Sequence, residues 1–237
     1  MPFTFSHPAA ALPLAIIPKR WISATGLVIG SITPDFEYFF RLEQNSYYSH
    51  TLTGVFWFDM PLALLLVYLF NSLIRKEIIE SLPLFLNRRF SKFRYSTRNL
   101  DCVKDLLVVI ISLLIGIMSH LIWDRLTHKS VELINVEEHY TVFWEANSLV
   151  GAIIIAGIIW KMPQGEKIQK RNIFLYWIPV SLITAVFTYA VSLDISNIRD
   201  FGISAIVGFF IGLIITSLGW QLKNMGFFEL LPGEKED

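Results

Sequence analysis

Long apolar blocks alternate along the chain with short polar connections. A helix crossing a bilayer needs about 20 mostly apolar residues, because it rises about 1.5 Å per residue through a hydrocarbon core about 30 Å thick. Five blocks qualify, at residues 52–74, 106–123, 149–162, 173–193 and 201–222, the third of them short. The pattern predicts an all-α fold, a polytopic transmembrane helical bundle of about five spans. Residues 8–40 are also apolar but are broken by Pro18, Lys19, Arg20, Pro34 and Asp35. They predict short helices that lie on the membrane or re-enter it. The chain therefore reads as one integral-membrane domain over 1–237. Residues 1–51 form the N-terminal interfacial helices, 52–162 carry spans one to three, and 173–222 carry the two C-terminal spans.

Composition agrees: 54% of residues are hydrophobic and 17% charged, against about 45–50% and about 25% in soluble domains. The formal net charge is zero, so no overall basic character points to nucleic acid. A single cysteine, Cys102, excludes a disulfide framework and a Cys-based zinc site. The start MPFTFSH lacks the basic segment and cleavage site of a secretory signal, so the mature chain is expected to begin at or near Met1. Lys and Arg crowd the connections after the first and third blocks, with Arg88, Arg89, Lys92 and Arg94 in one and Lys167, Lys170 and Arg171 in the other. The connections after the second and fourth are nearly free of them. By the positive-inside rule the C-terminus is cytoplasmic, the N-terminal region is outside, and the chain is a multi-pass protein of the cell inner (plasma) membrane.

Candidate chemistry lies in the histidines and acids. His120 and Asp124, in the run SHLIWDRLTH, are four positions apart and share one helix face. His128 follows on that face two turns from His120, too far to share an ion, and suggests a second metal or a substrate contact. His7, Asp35 and His50 all precede the first span, whereas Asp124 and His128 follow the second, with His120 about a turn lower, just inside the apolar zone. An even number of crossings brings the two groups to the same side. Histidine and carboxylate are natural zinc ligands, so the metal ligands expected are His7, Asp35, His50, His120 and Asp124, with a divalent metal, Zn above all, as cofactor. The plainer readings are a structural His–carboxylate pair for His120 and Asp124, and a helix cap for Asp35. Asp59 is read as a cap beside Pro61 in preference to a buried site carboxylate. Asn147 and Ser148 either cap the third span or line the site. Trp21, Trp57, Trp123, Trp144 and Trp160 read as interfacial anchors, and His139 as a surface or packing residue.

The segments MPFTFSHPAAALPL, GSITPDFEYFF, SHTLTG, FDMPLALLL, SHLIWDRLTH and EANSLVG, in that order, resemble an uncharacterised bacterial integral-membrane family of unknown function. The resemblance covers most of the first 155 residues. That family is distantly similar to the membrane-bound metal-dependent hydrolases, which share a His/Asp metal site with zinc-dependent phospholipase C. The resemblance implies that the PD, SH and HxxxD elements fall on Asp35, His50, and His120 with Asp124, and the N-terminal SH on His7. The further His and Glu ligands that the phospholipase C pattern carries on a later helix have no HxxxE counterpart on any later helix of this chain, so a three-metal site is not expected.

The function expected is a membrane-embedded metal-dependent hydrolase acting at the membrane surface, with a lipid phosphodiester or another ester as substrate. Asp124, or a spare carboxylate such as Glu37, would act as base. Membrane lipids are the expected partners. The alternative is a non-catalytic membrane protein, a transporter or scaffold, with a structural metal. Phosphatidic-acid-phosphatase and glutamate-type intramembrane protease readings lack their KxxxxxxRP and EExxxR elements.

Overall fold

The computed structural model describes residues 3–18, 20–95, 98, 100, 102–134, 140–168, 172–193 and 198–225. All regular structure among them is helical. After a 3₁₀ turn at Thr4–Ser6 come α1 (Pro8–Ala11), α2 (Ala24–Ile32) and α3 (Phe36–Arg41). They are followed by α4 (Leu52–Glu80), α5 (Leu84–Phe90), α6 (Val103–Ile134), α7 (Tyr140–Lys161), α8 (Ile173–Ser192) and α9 (Ile198–Asn224). Five of these, α4, α6, α7, α8 and α9, contain stretches long and apolar enough to cross a membrane. The protein is a polytopic helical membrane protein.

Span limits differ from those read off hydropathy. The third span runs over Val142–Lys161 and not 149–162, because Glu145, Asn147 and Ser148 lower local hydropathy without interrupting the helix. The first continues past residue 74 to Glu80. It contains two π-helical turns, Val55–Asp59 and Phe70–Ile74. The first precedes Pro61, which has no N–H for the carbonyl of Trp57, and a widened turn relieves the clash a proline ring causes there.

Tertiary contacts group the chain into two compact units. The first comprises residues 1–41, 45–68 and 97–163. Its centre is the packing of α2 along α6. A Cβ added to Gly26 would lie 2.8 Å from Ser112 Cβ, one on Gly116 would lie 2.5 Å from the Leu27 carbonyl oxygen, and one on Gly30 would strike the Leu113 carbonyl. Ser112, Gly116, His120 and Asp124 recur every four residues on α6, and Gly26 and Gly30 do so on α2. Small residues at that spacing let helix backbones approach closely where lipid offers no hydrophobic driving force. The Ser23 N–H donates to Ser112 Oγ at 2.8 Å, and Leu27, Leu113 and Ile117 are buried along the seam.

The second unit comprises residues 42–44, 69–96 and 164–237. Here α8 and α9 pack as a pair, with Gly208 against Thr184 and Gly212 against Val180. Tyr176 Oη and Ser217 Oγ meet at 2.8 Å inside it. Gln221 donates to the carbonyls of Ser72 and Leu73 in the wide turn of α4. Trp177 Nε1 donates to the Ser81 carbonyl at 2.8 Å, and Arg94 pairs with Glu80.

Candidate metal centre

All five residues of the expected ligand set meet in the first unit. Each arrives on a different piece of backbone or a different turn. His120 and Asp124 stand one turn apart on α6, with Nε2 and Oδ2 separated by 3.5 Å. Asp35 ends a 3₁₀ turn, Thr33–Asp35, that leads from α2 into α3. The close α2–α6 packing carries it across to His120, 3.5 Å from Nε2 to Oδ1. His7 follows the first 3₁₀ turn and stacks on His120 with ring centroids 3.8 Å apart and planes at 26°. Its Nε2 lies 3.7 Å from Asp124 Oδ1. His50 comes from the irregular segment before α4, with Nε2 3.5 Å from Asp124 Oδ2 and 3.9 Å from Asp35 Oδ1.

These separations decide what the cluster can do. They exceed hydrogen-bond lengths of about 2.7–3.2 Å. Two donor atoms held by one ion at about 2.1 Å, at a tetrahedral angle, stand about 3.4 Å apart. Donor atoms of His7, Asp35 and His120 lie within 4.8 Å of one another, as do those of His50, His120 and Asp124. Asp35 Oδ1, His50 Nε2, His120 Nε2 and both Asp124 oxygens are buried and have no hydrogen-bond partner among the described residues. Leaving carboxylates in that condition costs several kcal/mol. The donor set therefore fits a divalent cation.

The far side of each imidazole is fixed. His120 Nδ1 lies 2.7 Å from the Ser31 carbonyl. A carbonyl only accepts, so Nδ1 carries a hydrogen and Nε2 faces the carboxylates, the usual arrangement behind a metal-ligating histidine. His50 Nδ1 meets Ser49 Oγ at 2.9 Å, and the Tyr38 ring stacks on His50 at 5.4 Å. Burial, and after it the charge of Asp35, pushes the Tyr38 phenol well above the usual tyrosine range. His7 is held from α7: the Phe3 N–H donates to Ser148 Oγ at 2.8 Å, and Ser6 Oγ donates to the Ser148 carbonyl at 2.9 Å. Gly151 completes the seat, since a Cβ there would meet Ser6 Cβ at 2.6 Å.

Several expectations change. Ser148 is neither a cap nor a site-lining group, because α7 begins at Tyr140 and Ser148 sits inside it, gripping the N-terminal turn. Asn147 donates back to the Phe143 carbonyl. Asp59 is not a cap: it closes the first π-helical turn of α4, fully buried, with neither oxygen hydrogen-bonded among the described residues. That turn packs against Thr33–Asp35, but Asp59 is outside both groups of converging donors. Glu37 does not join the cluster either. It is buried, and its oxygens accept N–H bonds from Tyr47, Tyr48 and Ser49, each at 2.9 Å, and from Arg41 Nε at 3.0 Å. Burial alone would raise its pKa, but these donors outweigh it and hold the carboxyl at about 2, a poor base at neutral pH. The helix α6 continues through His128, whose side chain is outside the described residues, as is His139 altogether.

Ser31 and Tyr38 lie in the segment GSITPDFEYFF and Ser148 in EANSLVG, but their residue types carry no metal-ligand signal, so their support of the cluster is not legible in the sequence. The close helix contact has a signal, the spacing of Gly26 with Gly30 and of Ser112 with Gly116.

Fold and site thus define a helical membrane protein whose first unit encloses a buried His/Asp cluster. The family described as a domain of unknown function (DUF4184) matches residues 1–218, and the chain belongs to it. No curated protein and no solved structure matches the chain.

Proposed function

We propose that the protein is a membrane-embedded metal-dependent hydrolase that cleaves an ester at the membrane surface, with a lipid phosphodiester as the first substrate to test. The observation that carries this reading is the convergence of three imidazoles and two carboxylates at separations of 3.5 to 3.9 Å. His7, Asp35, His50, His120 and Asp124 would hold the ion, and the mixed nitrogen and oxygen set suits Zn²⁺. Such an ion supplies a Lewis acid and brings the pKa of a water to about 7.

The chain's own residues account for the rest. The Ser31 carbonyl and the Ser49 hydroxyl orient two of the imidazoles. Asp124, neither of whose oxygens has a hydrogen-bond partner among the described residues, is placed to accept a proton. His50 is the most open of the five, its side chain 16% exposed, so substrate would enter past it. Tyr47, Tyr48 and Trp57 are exposed, and Tyr48 and Trp57 pack edge to face at 5.0 Å. Aromatic rings of this kind suit the headgroup level of a bilayer. The similarity of the PD, SH and HxxxD elements to those of membrane-bound metal-dependent hydrolases supports the same reading, as analogy. The loop charges support placing the site on the outer face of the inner (plasma) membrane, with the C-terminus in the cytoplasm.

Purified protein should contain about one equivalent of a divalent metal per chain for a site of this donor count. It should hydrolyse a lipid phosphodiester until a chelator is added. Unchanged metal content in His120→Ala/Asp124→Ala would overturn the ligand assignment. Metal without hydrolysis of any ester tried would favour a structural ion.

A further inference from the structure

His50 differs from the other four members of the cluster in its support. His120 and Asp124 stand on a long helix, Asp35 on a turn continuous with α2 and α3, and His7 on a turn seated against α7. His50 lies in a stretch with no regular structure, residues 42–51 between α3 and α4. Its own backbone cannot hold it in place, so its position must come from side chains.

Two fixings are present. After His50, the Thr51 side chain caps α4, accepting from the Gly54 N–H at 3.0 Å and donating to the Tyr48 carbonyl at 2.7 Å. Gly54 sits so close that any Cβ there would strike that same carbonyl. Before His50, the grip belongs to Glu37. Three consecutive backbone N–H groups, of Tyr47, Tyr48 and Ser49, all point at its two oxygens. Charge-assisted bonds of this type are roughly twice as strong as neutral ones. Arg41, one turn along α3, braces the carboxylate and lays its guanidinium over the Tyr47 ring at 4.5 Å. Glu37 is two residues from Asp35 and next to Tyr38, which stacks on His50. One side chain therefore ties the segment bearing His50 to the helix that follows Asp35.

We propose that Glu37 is a positioning residue for His50: by clamping the Tyr47–Ser49 backbone it sets the distance of the His50 imidazole from Asp35 and Asp124. Its effect on metal affinity rests on the metal reading above; its effect on the His50 position does not.

The test has two arms, both on the full-length protein in detergent. In the first, metal is removed and the rate of His50 acylation by diethyl pyrocarbonate is followed by peptide mass spectrometry. Glu37→Gln should raise the rate at His50 several-fold and leave His120 protected, while Glu43→Gln, an exposed neighbour, should change neither. A wild-type rate at His50 in Glu37→Gln overturns the proposal, whatever the metal does. In the second, Co²⁺ is titrated as a spectroscopic probe. Glu37→Gln should weaken binding by about 10–100-fold, the range for losing support of a ligand. It should cause no further loss in a His50→Ala background, because the two changes act through one ligand. Additive losses would mean that Glu37 acts elsewhere in the fold and would overturn the proposal. If wild type binds no Co²⁺ or Zn²⁺, the metal reading fails and the first arm decides the clamp alone. Should Glu37→Gln not fold, Arg41→Met removes one of the four donors without unpairing a backbone N–H, and must give a smaller change in the same direction.

Discussion

The imidazole of His120 is anchored to the main chain of Ser31, Nδ1 to carbonyl oxygen at 2.7 Å, across a helix contact that leaves no room for a side chain at Gly30 or Gly116. The packing of α2 on α6 and the orientation of a cluster histidine are thus one structural fact. A change in the seam must alter the cluster.

Gly116→Val tests that link. Replacing glycine inside a helix gains about 1 kcal/mol of propensity at most. Overpacking a close contact costs about 1–3 kcal/mol, and here the obstacle is the Leu27 backbone, which cannot rotate away. The expected outcome is a lower unfolding temperature in detergent together with lost metal. Gly157→Ala, inside α7 where an added Cβ meets nothing within 4 Å, should leave metal content unchanged and raise the unfolding temperature slightly, by the helix propensity gained.

The Glu37 clamp gives a pH dependence with a definite sign. Its carboxyl is depressed from 4.5 to about 2 in the folded protein, so its stabilisation is fully present above about pH 4.5 and is lost as pH falls through that window toward 2. The shift corresponds to a contribution on the order of 3 kcal/mol. Wild type and Glu37→Gln should therefore differ most at neutral pH and converge in acid when chemical unfolding is compared at pH 7, 4.5 and 3. A difference that stays constant over that range would refute the assignment.

Ser148→Ala removes the acceptor of the Phe3 N–H but leaves the Ser148 carbonyl in place for Ser6. The expected cost is about 1 kcal/mol, with a modest loss of metal affinity through His7. Serine to alanine at Ser192, whose hydroxyl only bonds back to the Tyr189 carbonyl, should do neither.

Metal loading should itself stabilise the fold, by about 2.7 kcal/mol when free ion is a hundredfold above its dissociation constant. Thermal unfolding of chelated protein with and without added Zn²⁺ measures this. The increment should vanish in His120→Ala/Asp124→Ala.

A reporter fused after Asp237 should report the cytoplasm, as the Lys and Arg of the connections require. A periplasmic signal would reverse the side on which the cluster opens.

How much of this was legible in the chain differs between span and site. The number of spans follows from block length, since bilayer thickness sets a minimum that few other structures satisfy. The pairing of His120 with Asp124 follows from helical pitch. Hydropathy places the start of the third span too late, because Glu145, Asn147 and Ser148 look like an end. In the structure they are one helix, and Ser148 has its own partners in Phe3 and Ser6.

What the sequence by itself determined is local: five apolar helices, and one helix face carrying a histidine and a carboxylate a turn apart. What only the tertiary structure decided is the approach of His7, Asp35 and His50 to that face. Each depends on contacts between residues far apart in the chain, such as Ser148 with Phe3, 145 positions away. Periodicity reports which face a residue occupies and carries no information about what that face meets. The meeting is set by backbone proximity at Gly30 and Gly116 and by hydrogen bonds between residues far apart in the chain.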